Sequence, residues 1–261
     1  MQNYLYLCKI FNSLTLCVSI TKKKDMKAAI IGYGKMGREI EKILTERGHS
    51  VELIIDVNNA ADLTAENLAK VDVAIEFTTP STAVDNILKS FAAGVPVVCG
   101  TTGWMEHLDR IKAMCANAEG TLFYASNYSL GVNIFMAVNR YLSKIMEGFE
   151  QYNPSIEEIH HIHKLDHPSG TAITLAEGIL SEISRKKTWT EDKDADGLLI
   201  THGREGEVPG IHTITWDSAE DVISLRHEAK GREGLALGAV AAAEWLVGKQ
   251  GFFTMSDMLK F

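Results

Sequence analysis

Lys27-Ala28-Ala29-Ile30-Ile31-Gly32-Tyr33-Gly34-Lys35-Met36-Gly37 is the stretch that decides the fold of this chain. A short apolar run enters a loop of the form GxGxxG, and a helical pattern follows from Arg38 to Arg47, stopped by Gly48-His49. Val51 to Ile55 is a second apolar strand and ends on Asp56. Strand, glycine loop, helix, strand and acidic residue, with the acid about 20 residues past the loop, form the pattern of a dinucleotide-binding unit. Each part has a physical reason. Gly32 permits the tight turn, Gly34 lets the backbone approach a pyrophosphate, and Gly37 packs helix on strand. The helix start, with Lys35 and Met36, turns unpaired N–H groups toward phosphates, and Asp56 can accept from ribose hydroxyls. A glycine-rich turn in an α/β fold without nucleotide shares the loop but has no need of the Asp56 offset.

Working outward, the alternation continues. Strands are expected at Val71–Phe77, Val95–Cys99 and Thr121–Tyr124, and helices at Ser81–Ala93 and Glu106–Ala118. The strands are continuous apolar runs, as in a parallel sheet covered on both faces. Ligands on such sheets bind beyond the carboxyl ends of the strands. Phe77-Thr78-Thr79-Pro80, Gly100-Thr101-Thr102-Gly103 and Ala125-Ser126-Asn127-Tyr128 all fall there. Phe77, Gly100, Thr101, Thr102, Ala125, Ser126, Asn127 and Tyr128 therefore join the glycine loop as candidate cofactor contacts. Asp56 would repel a 2′-phosphate, and Val57-Asn58 supply no arginine to hold one, while Lys35 offsets this in part. NADH is the first choice and NADPH remains open.

The second half carries a denser signal. His160-His161-Ile162-His163-Lys164-Leu165-Asp166-His167 packs four imidazoles, one ammonium and one carboxylate into eight residues, and Pro168-Ser169-Gly170-Thr171 follows. Buried ionisable groups need partners, and a merely solvated surface has no use for this set. Three readings compete. A zinc site lacks HExxH, a nearby cysteine and supporting spacing. A structural cluster of partly exposed histidines is possible. An acid and electrostatic clamp for an anion uses every group: histidine titrates near neutrality, Lys164 is a fixed cation, and Ser169, Gly170 and Thr171 offer N–H groups where a helix begins. On a strand, His161 and His163 share one face and His160 opposes them.

Around the octet, Gly131–Gly148 and Thr171–Ile183 read as helices, and Ile156–Ile159 as a strand delivering the histidines. Gly210–Trp216 and Asp221–His227 read as further strands of an antiparallel sheet. Gly234–Val247 is a small-residue helix suited to close packing on something flat. Thr188–Gly206, charged and glycine-containing, reads as a mobile loop. The expected architecture is α/β: a Rossmann-type doubly wound parallel sheet over 27–127 and about 235–261, and a smaller α+β domain with a mixed or antiparallel sheet over about 128–234. Residues 1–25 precede the pattern. Ile10–Ile20 is too short to span a bilayer, which takes ~20 apolar residues, and the expectation is an extension outside the fold, with Met26 as the true start.

Length and composition agree. The chain has 261 residues, 46% hydrophobic and 23% charged, an ordinary soluble composition. A net charge of −8 with no long basic run argues against nucleic acid. Cys8, Cys17, Cys99 and Cys115 are scattered, and Cys99 sits in an apolar run as a buried thiol, which fits a reducing, cytoplasmic compartment.

Glu158-Ile159-His160-His161-Ile162-His163-Lys164-Leu165-Asp166-His167-Pro168-Ser169-Gly170-Thr171-Ala172 closely resembles the signature of the 4-hydroxy-tetrahydrodipicolinate (dihydrodipicolinate) reductase family. Gly100-Thr101-Thr102-Gly103-Trp104 and the stretch Ala125-Ser126-Asn127-Tyr128-Ser129-Leu130-Gly131-Val132-Asn133 resemble its two other hallmark loops, in the same order. The resemblance covers about residues 27 to 261. It implies NAD(P)H-dependent reduction of a small dicarboxylate with loss of water, on the diaminopimelate route to lysine. It also implies His160 as proton donor or acceptor, Lys164 as a second proton donor, and His161, Gly170 and Thr171 as contacts for substrate carboxylates. No metal is implied. A homotetramer built through the second-domain sheets is implied, with the last helix returning to the nucleotide domain. Two departures stand out: a compact glycine loop with no arginine after Asp56, and a short segment between Ile183 and Val208. The rival classes are a dinucleotide sensor without turnover, a metal hydrolase, and a reductase of another unsaturated dicarboxylate.

Overall fold

The computed structural model describes residues 25–192 and 197–261. The expected extension therefore lies outside the described residues, except for Asp25. The apolar runs become strands where expected: β1 (Lys27–Ile31), β2 (Ser50–Ile55), β3 (Val73–Glu76), β4 (Val97–Cys99) and β5 (Thr121–Tyr124). Between them lie helices α1 (Lys35–Glu46), α2 (Ala65–Leu68), α3 (Pro80–Ala92) and α4 (Leu108–Ala116). The strands pair in parallel in the order β5-β4-β3-β1-β2. β1 and β3 to β5 are almost wholly buried because helices cover both faces. Two apolar cores result, one on each face of the sheet.

The chain then leaves this sheet. Helix α5 (Leu130–Met146) is capped by the Ser129 hydroxyl, which accepts from the Val132 N–H. It leads to strand β6 (Asn153–His160), in which Pro154, Ile156, Glu158 and His160 point inward. After α6 (Gly170–Leu180) come β7 (Trp189–Thr190), β8 (Leu198–Arg204), β9 (Ile211–Asp217) and β10 (Val222–Glu228). They form a five-stranded sheet in the order β10-β9-β6-β8-β7. β9 pairs antiparallel with both β10 and β6, whereas β8 pairs parallel with β6 and β7. A third core, centred on Ile156, Ile200, Ile214 and Trp216, lies between this sheet and α5 and α6.

This corrects the expectation of a mobile loop over Thr188–Gly206. The segment contains β7 and β8, and β8 runs beside β6 from Leu199 to Arg204. The charges drew the eye, but Leu198 and Ile200 carry the buried alternation that pins the strand.

The chain finishes on the first sheet. α7 (Glu233–Leu246) packs Ala236, Ala239, Val240 and Ala243 into the same core as β1 and β3, and β11 (Gly251–Phe253) extends that sheet beside β5. A last helix, α8 (Met255–Leu259), is closed by a capping box between Thr254 and Asp257. The small side chains of α7 have a direct cause: a Cβ at Gly238 would lie 1.7 Å from the Tyr128 carbonyl oxygen. Gly238→Ala should therefore force the helix off the Tyr128 backbone. The expected cost is about 1–3 kcal/mol of stability, as for other overpacked positions, read as a lower urea midpoint. An unchanged midpoint would contradict this close approach.

Candidate active site

At the nucleotide end, Gly32 sits at φ +99°, and a Cβ there would lie 2.1 Å from the Phe77 carbonyl oxygen. A Cβ at Gly37 would lie 2.3 Å from the Gly32 carbonyl oxygen. Gly34 has open space in front of it. The three glycines thus do three different jobs, and only Gly34 faces a ligand-sized space. That space is a cleft of about 350 Å³. It is lined by Gly34, Lys35, Met36, Phe77, Gly100, Thr101 and Thr102, and also by Thr78 and Pro80. Asp56 directly follows β2 and is half-buried, its carboxylate accepting from the Val57 N–H at 2.7 Å.

The cleft loops are tied from beneath. Glu76, fully buried at the end of β3, accepts from the Thr78 N–H at 3.2 Å, from the Thr78 hydroxyl, and from Cys99 Sγ at 3.1 Å. The Thr78 N–H also donates to Thr101 Oγ1 at 2.8 Å. Burial, and then the Glu76 carboxylate, pushes the Cys99 thiol pKa well up, so this cysteine is an inert donor. Tyr128 is 1% exposed, and its hydroxyl donates to the Cys99 and Phe123 carbonyls. Its side chain therefore belongs to the core, and only its backbone is open to a cofactor role. Ala125 is also buried, and Asn127 braces the start of α5 by accepting from the Ser129 N–H. Ser126 alone of Ala125–Tyr128 is exposed.

The octet begins as β6 ends. His160 is the last strand residue and is 7% exposed, while His161 to His167 form an irregular loop. His161 and His163 do come together, with rings 5.9 Å apart, but across a turn closed by the Lys164 N–H on the His161 carbonyl. His161 Nδ1 is buried without a bonding partner. Lys164 Nζ holds both oxygens of Asp166 at 2.8 Å, which lowers the Asp166 pKa. Arg204 clamps the loop from β8: its Nε donates to the Lys164 carbonyl at 3.1 Å and its guanidinium to the Asp166 carbonyl at 2.8 Å. The segment first read as a loop therefore supplies the side chain that shapes the octet.

The Ser169 hydroxyl caps α6 by accepting from the Ala172 N–H. Its own N–H is taken by Glu158, 3.1 Å from each carboxylate oxygen, so it is not free for an anion as the sequence suggested. Gly170 and Thr171 keep the helix-start N–H groups that have no acceptor inside the helix. Gly170 is exposed, with open space where a Cβ would stand.

Two groups escaped the sequence reading as site residues: Glu158 and His212. Glu158 is completely buried and His212 is 5% exposed. Burial opposes ionisation of Glu158, but the facing His212, the Ser169 hydroxyl and N–H, and the His160 ring together hold its pKa well below the usual carboxylate range. His160 moves the other way from its ordinary imidazole value. Burial, helped by His212, Lys164 and Arg204 and opposed by Glu158, lowers its pKa and keeps the ring neutral at neutral pH. The signal for Glu158 was present in the period-2 phase it shares with Ile156 and His160. His212 had no such flag, because only the pairing of β9 with β6 sets it opposite Glu158.

The donor atoms of Glu158, His160 and His212 lie within 4.8 Å of one another, as do those of His167, Glu191 and His202 on the exposed surface. In the first group the carboxylate is already committed to Ser169. The second group is an ion-paired surface cluster, with His167 Nδ1 3.0 Å from Glu191 and stacked on His202.

The comparisons with known proteins agree with one another. Residues 26–128 match the family described as dihydrodipicolinate reductase, N-terminus, and residues 131–259 match its C-terminus. A 4-hydroxy-tetrahydrodipicolinate reductase of Christiangramia forsetii is 47% identical over 237 residues, covering 90% of this chain and 98% of that one. One of Archaeoglobus fulgidus is 33% identical over 262 residues, covering 90% of this chain and all of that one. The dipicolinate-bound dihydrodipicolinate reductase of Paenisporosarcina sp. TG-14 shares the fold at a TM-score of 0.75 and 21% identity, over 90% of this chain and 99% of that one. With both halves matched end to end, the chain belongs to the dihydrodipicolinate reductase family.

Proposed function

We propose that this protein reduces 4-hydroxy-tetrahydrodipicolinate to tetrahydrodipicolinate with loss of water, in lysine and diaminopimelate synthesis. The observation that carries this is the join at the octet: one loop presents a neutral buried imidazole, a lysine and the open start of α6. A dianionic substrate needs cations and N–H donors, and carbon reduced by hydride needs a proton delivered nearby. The nicotinamide cofactor, when bound, supplies the hydride. The glycine loop and the Phe77, Gly100, Thr101 and Thr102 cleft fit its dinucleotide, since Gly34 leaves room for phosphate.

The residues divide the remaining work. Gly170 and Thr171 N–H groups, with the unpartnered His161 Nδ1, take substrate carboxylates. Lys164 exchanges Asp166 for a substrate carboxylate and brings a second proton. His160, neutral before substrate enters, gains its proton beside the dianion and delivers it. Asp56 and the lack of arginine at Val57 and Asn58 favour NADH over NADPH. A homotetramer in the cytoplasm completes the proposal. No described helix is long and apolar enough to cross a membrane. The apolar stripe Ile134, Val138, Tyr141 and Ile145 on α5, together with Val222 and Ile223 on β10, is exposed and suits burial against further copies.

Loss of general-acid chemistry costs about 10²-fold or more. NADH oxidation with coupled-synthase substrate should fall by that much in His160→Ala and in Lys164→Ala, and survive EDTA in full. Binding of either coenzyme without oxidation would instead indicate a sensor. NADH should exceed NADPH in kcat/KM, and Asp56→Ala combined with Val57→Arg should shift that ratio by about 10-fold, roughly 1.4 kcal/mol. An unchanged ratio would remove Asp56 from coenzyme choice. Because the His160 pKa is lowered, the imidazolium fraction of the free protein still grows as pH falls below the ordinary value of 6.5. kcat/KM should therefore keep rising through that pH, and His160→Gln should abolish the rise. A plateau at 6.5 would place His160 in water and not in the buried site.

A further inference from the structure

Glu158 has no part in the chemistry described so far, yet it is completely buried and ionised. Burying a carboxylate is costly unless its oxygens are satisfied, so its partners show what it holds. There are three. The Ser169 N–H, at the first step of α6, lies 3.1 Å from each oxygen. His160 Nδ1 lies 3.6 Å from Oε2, just beyond hydrogen-bond distance, and is buried with no hydrogen-bond partner, so this carboxylate is the charge it faces. His212 Nε2 lies 3.6 Å from the same oxygen and 3.2 Å from the Ser169 hydroxyl. The His160 and His212 rings meet edge to face at 5.1 Å.

This arrangement selects a tautomer. A histidine places its proton according to the bond that its other nitrogen makes. Among the described residues Nδ1 faces only a carboxylate, which accepts and cannot donate, so Nδ1 carries the hydrogen and Nε2 is left with the lone pair. Gly210 passes beside Nε2 without covering it, since a Cβ there would come within 3.1 Å. The other charged groups around the pair are Arg204, 3.8 Å from Glu158 Oε1, Lys164 in the octet, and His227 on β10 beyond His212. None offers His160 Nδ1 an alternative acceptor.

The geometry points to Glu158, with His212 as its partner, as a positioning residue that fixes His160 as the Nδ1–H tautomer and ties it to the α6 N-terminus. The proton-transfer atom and the carboxylate-binding N–H groups are then held by one side chain. Without that link, β6 and α6 could shift independently while substrate is bound. The exposed His167–Glu191–His202 cluster is a separate group, its ion pairs and ring stacking running among its own members. The inference rests on the reductase reading for its kinetic consequence, but the tautomer does not depend on it.

The test begins with the full-length protein carrying ring-¹⁵N histidine. Nitrogen shifts should show His160 with a protonated Nδ1 and a bare Nε2, and an Nε2–H tautomer in the wild type would overturn the inference without any variant. In Glu158→Gln the amide oxygen can keep the Ser169 N–H while its NH2 donates to His160 Nδ1, so the Nε2–H tautomer should dominate and kcat should fall by about 10²-fold, with NADH affinity unchanged. Glu158→Asp keeps the charge and should recover much of that loss. In a His160→Gln background, Glu158→Gln should cost kcat little more. A multiplicative loss there, or an unaltered His160 spectrum in Glu158→Gln, would mean that Glu158 only supports folding. If Glu158→Gln does not fold, His212→Asn should show the tautomer shift in weaker form, and no shift would count against the pair. A wild type with the expected tautomer but no reductase activity would overturn the assigned reaction and leave the positioning intact.

Discussion

A carboxylate sealed from solvent between β6 and the start of α6 is the constraint on which the second half of the molecule is arranged. Glu158, with zero exposure, accepts from the Ser169 N–H and faces two imidazoles. Several structural facts follow from that demand. β9 must pair with β6 in the register that sets His212 against Glu158, α6 must start where Ser169 can cap it, and β8 must run beside β6 so that Arg204 reaches the octet. An unmatched buried charge costs several kcal/mol, more than a typical surface interaction returns, so this register has few substitutes.

The nucleotide half obeys a different constraint, that of close backbone approach. Gly32 and Gly37 are set by carbonyls that leave no room for a Cβ, and its loops are drawn together by Glu76 beneath the cleft. Both halves thus use a buried glutamate at or near the end of a strand to organise the loops above it. In each case low solvent access strengthens the hydrogen bonds that hold the loops and makes an unpaired donor expensive. The return of α7 and β11 to the first sheet joins the chain's end to its beginning, and the Gly238 contact with Tyr128 sets how near α7 can lie.

Much of this was legible as local pattern. The glycine loop, the apolar strands and the small-residue α7 each follow from a spacing or composition that one segment carries. The octet with its following Ser-Gly-Thr stood out in the sequence as a candidate anion and proton site, and the proposed reaction rests on it. Misreadings arose where a segment's role depended on a distant partner. Thr188–Gly206 looked like a solvated loop because its charges outnumber its few inward residues, and only pairing with β6 makes β8 a strand. Ser169 was read as an anion donor, but its N–H is consumed by Glu158. Tyr128 was read as a cofactor contact, and because its ring fills the core below the loop only its backbone is left for that role.

The sequence by itself determined the class of fold, the dinucleotide pattern, the order of the motifs and the chemical types available at the site, because these depend on neighbours within one turn or one strand. The tertiary structure decided which of those groups meet: His212 with Glu158, Arg204 with the octet, and Glu76 with both cleft loops. It also decided protonation: burial lowers the His160 pKa, whereas His212 on β9 and Ser169 at the start of α6 lower that of Glu158 against the effect of burial. Periodicity is a property of a segment, whereas solvent exclusion and long-range pairing belong to the assembled fold.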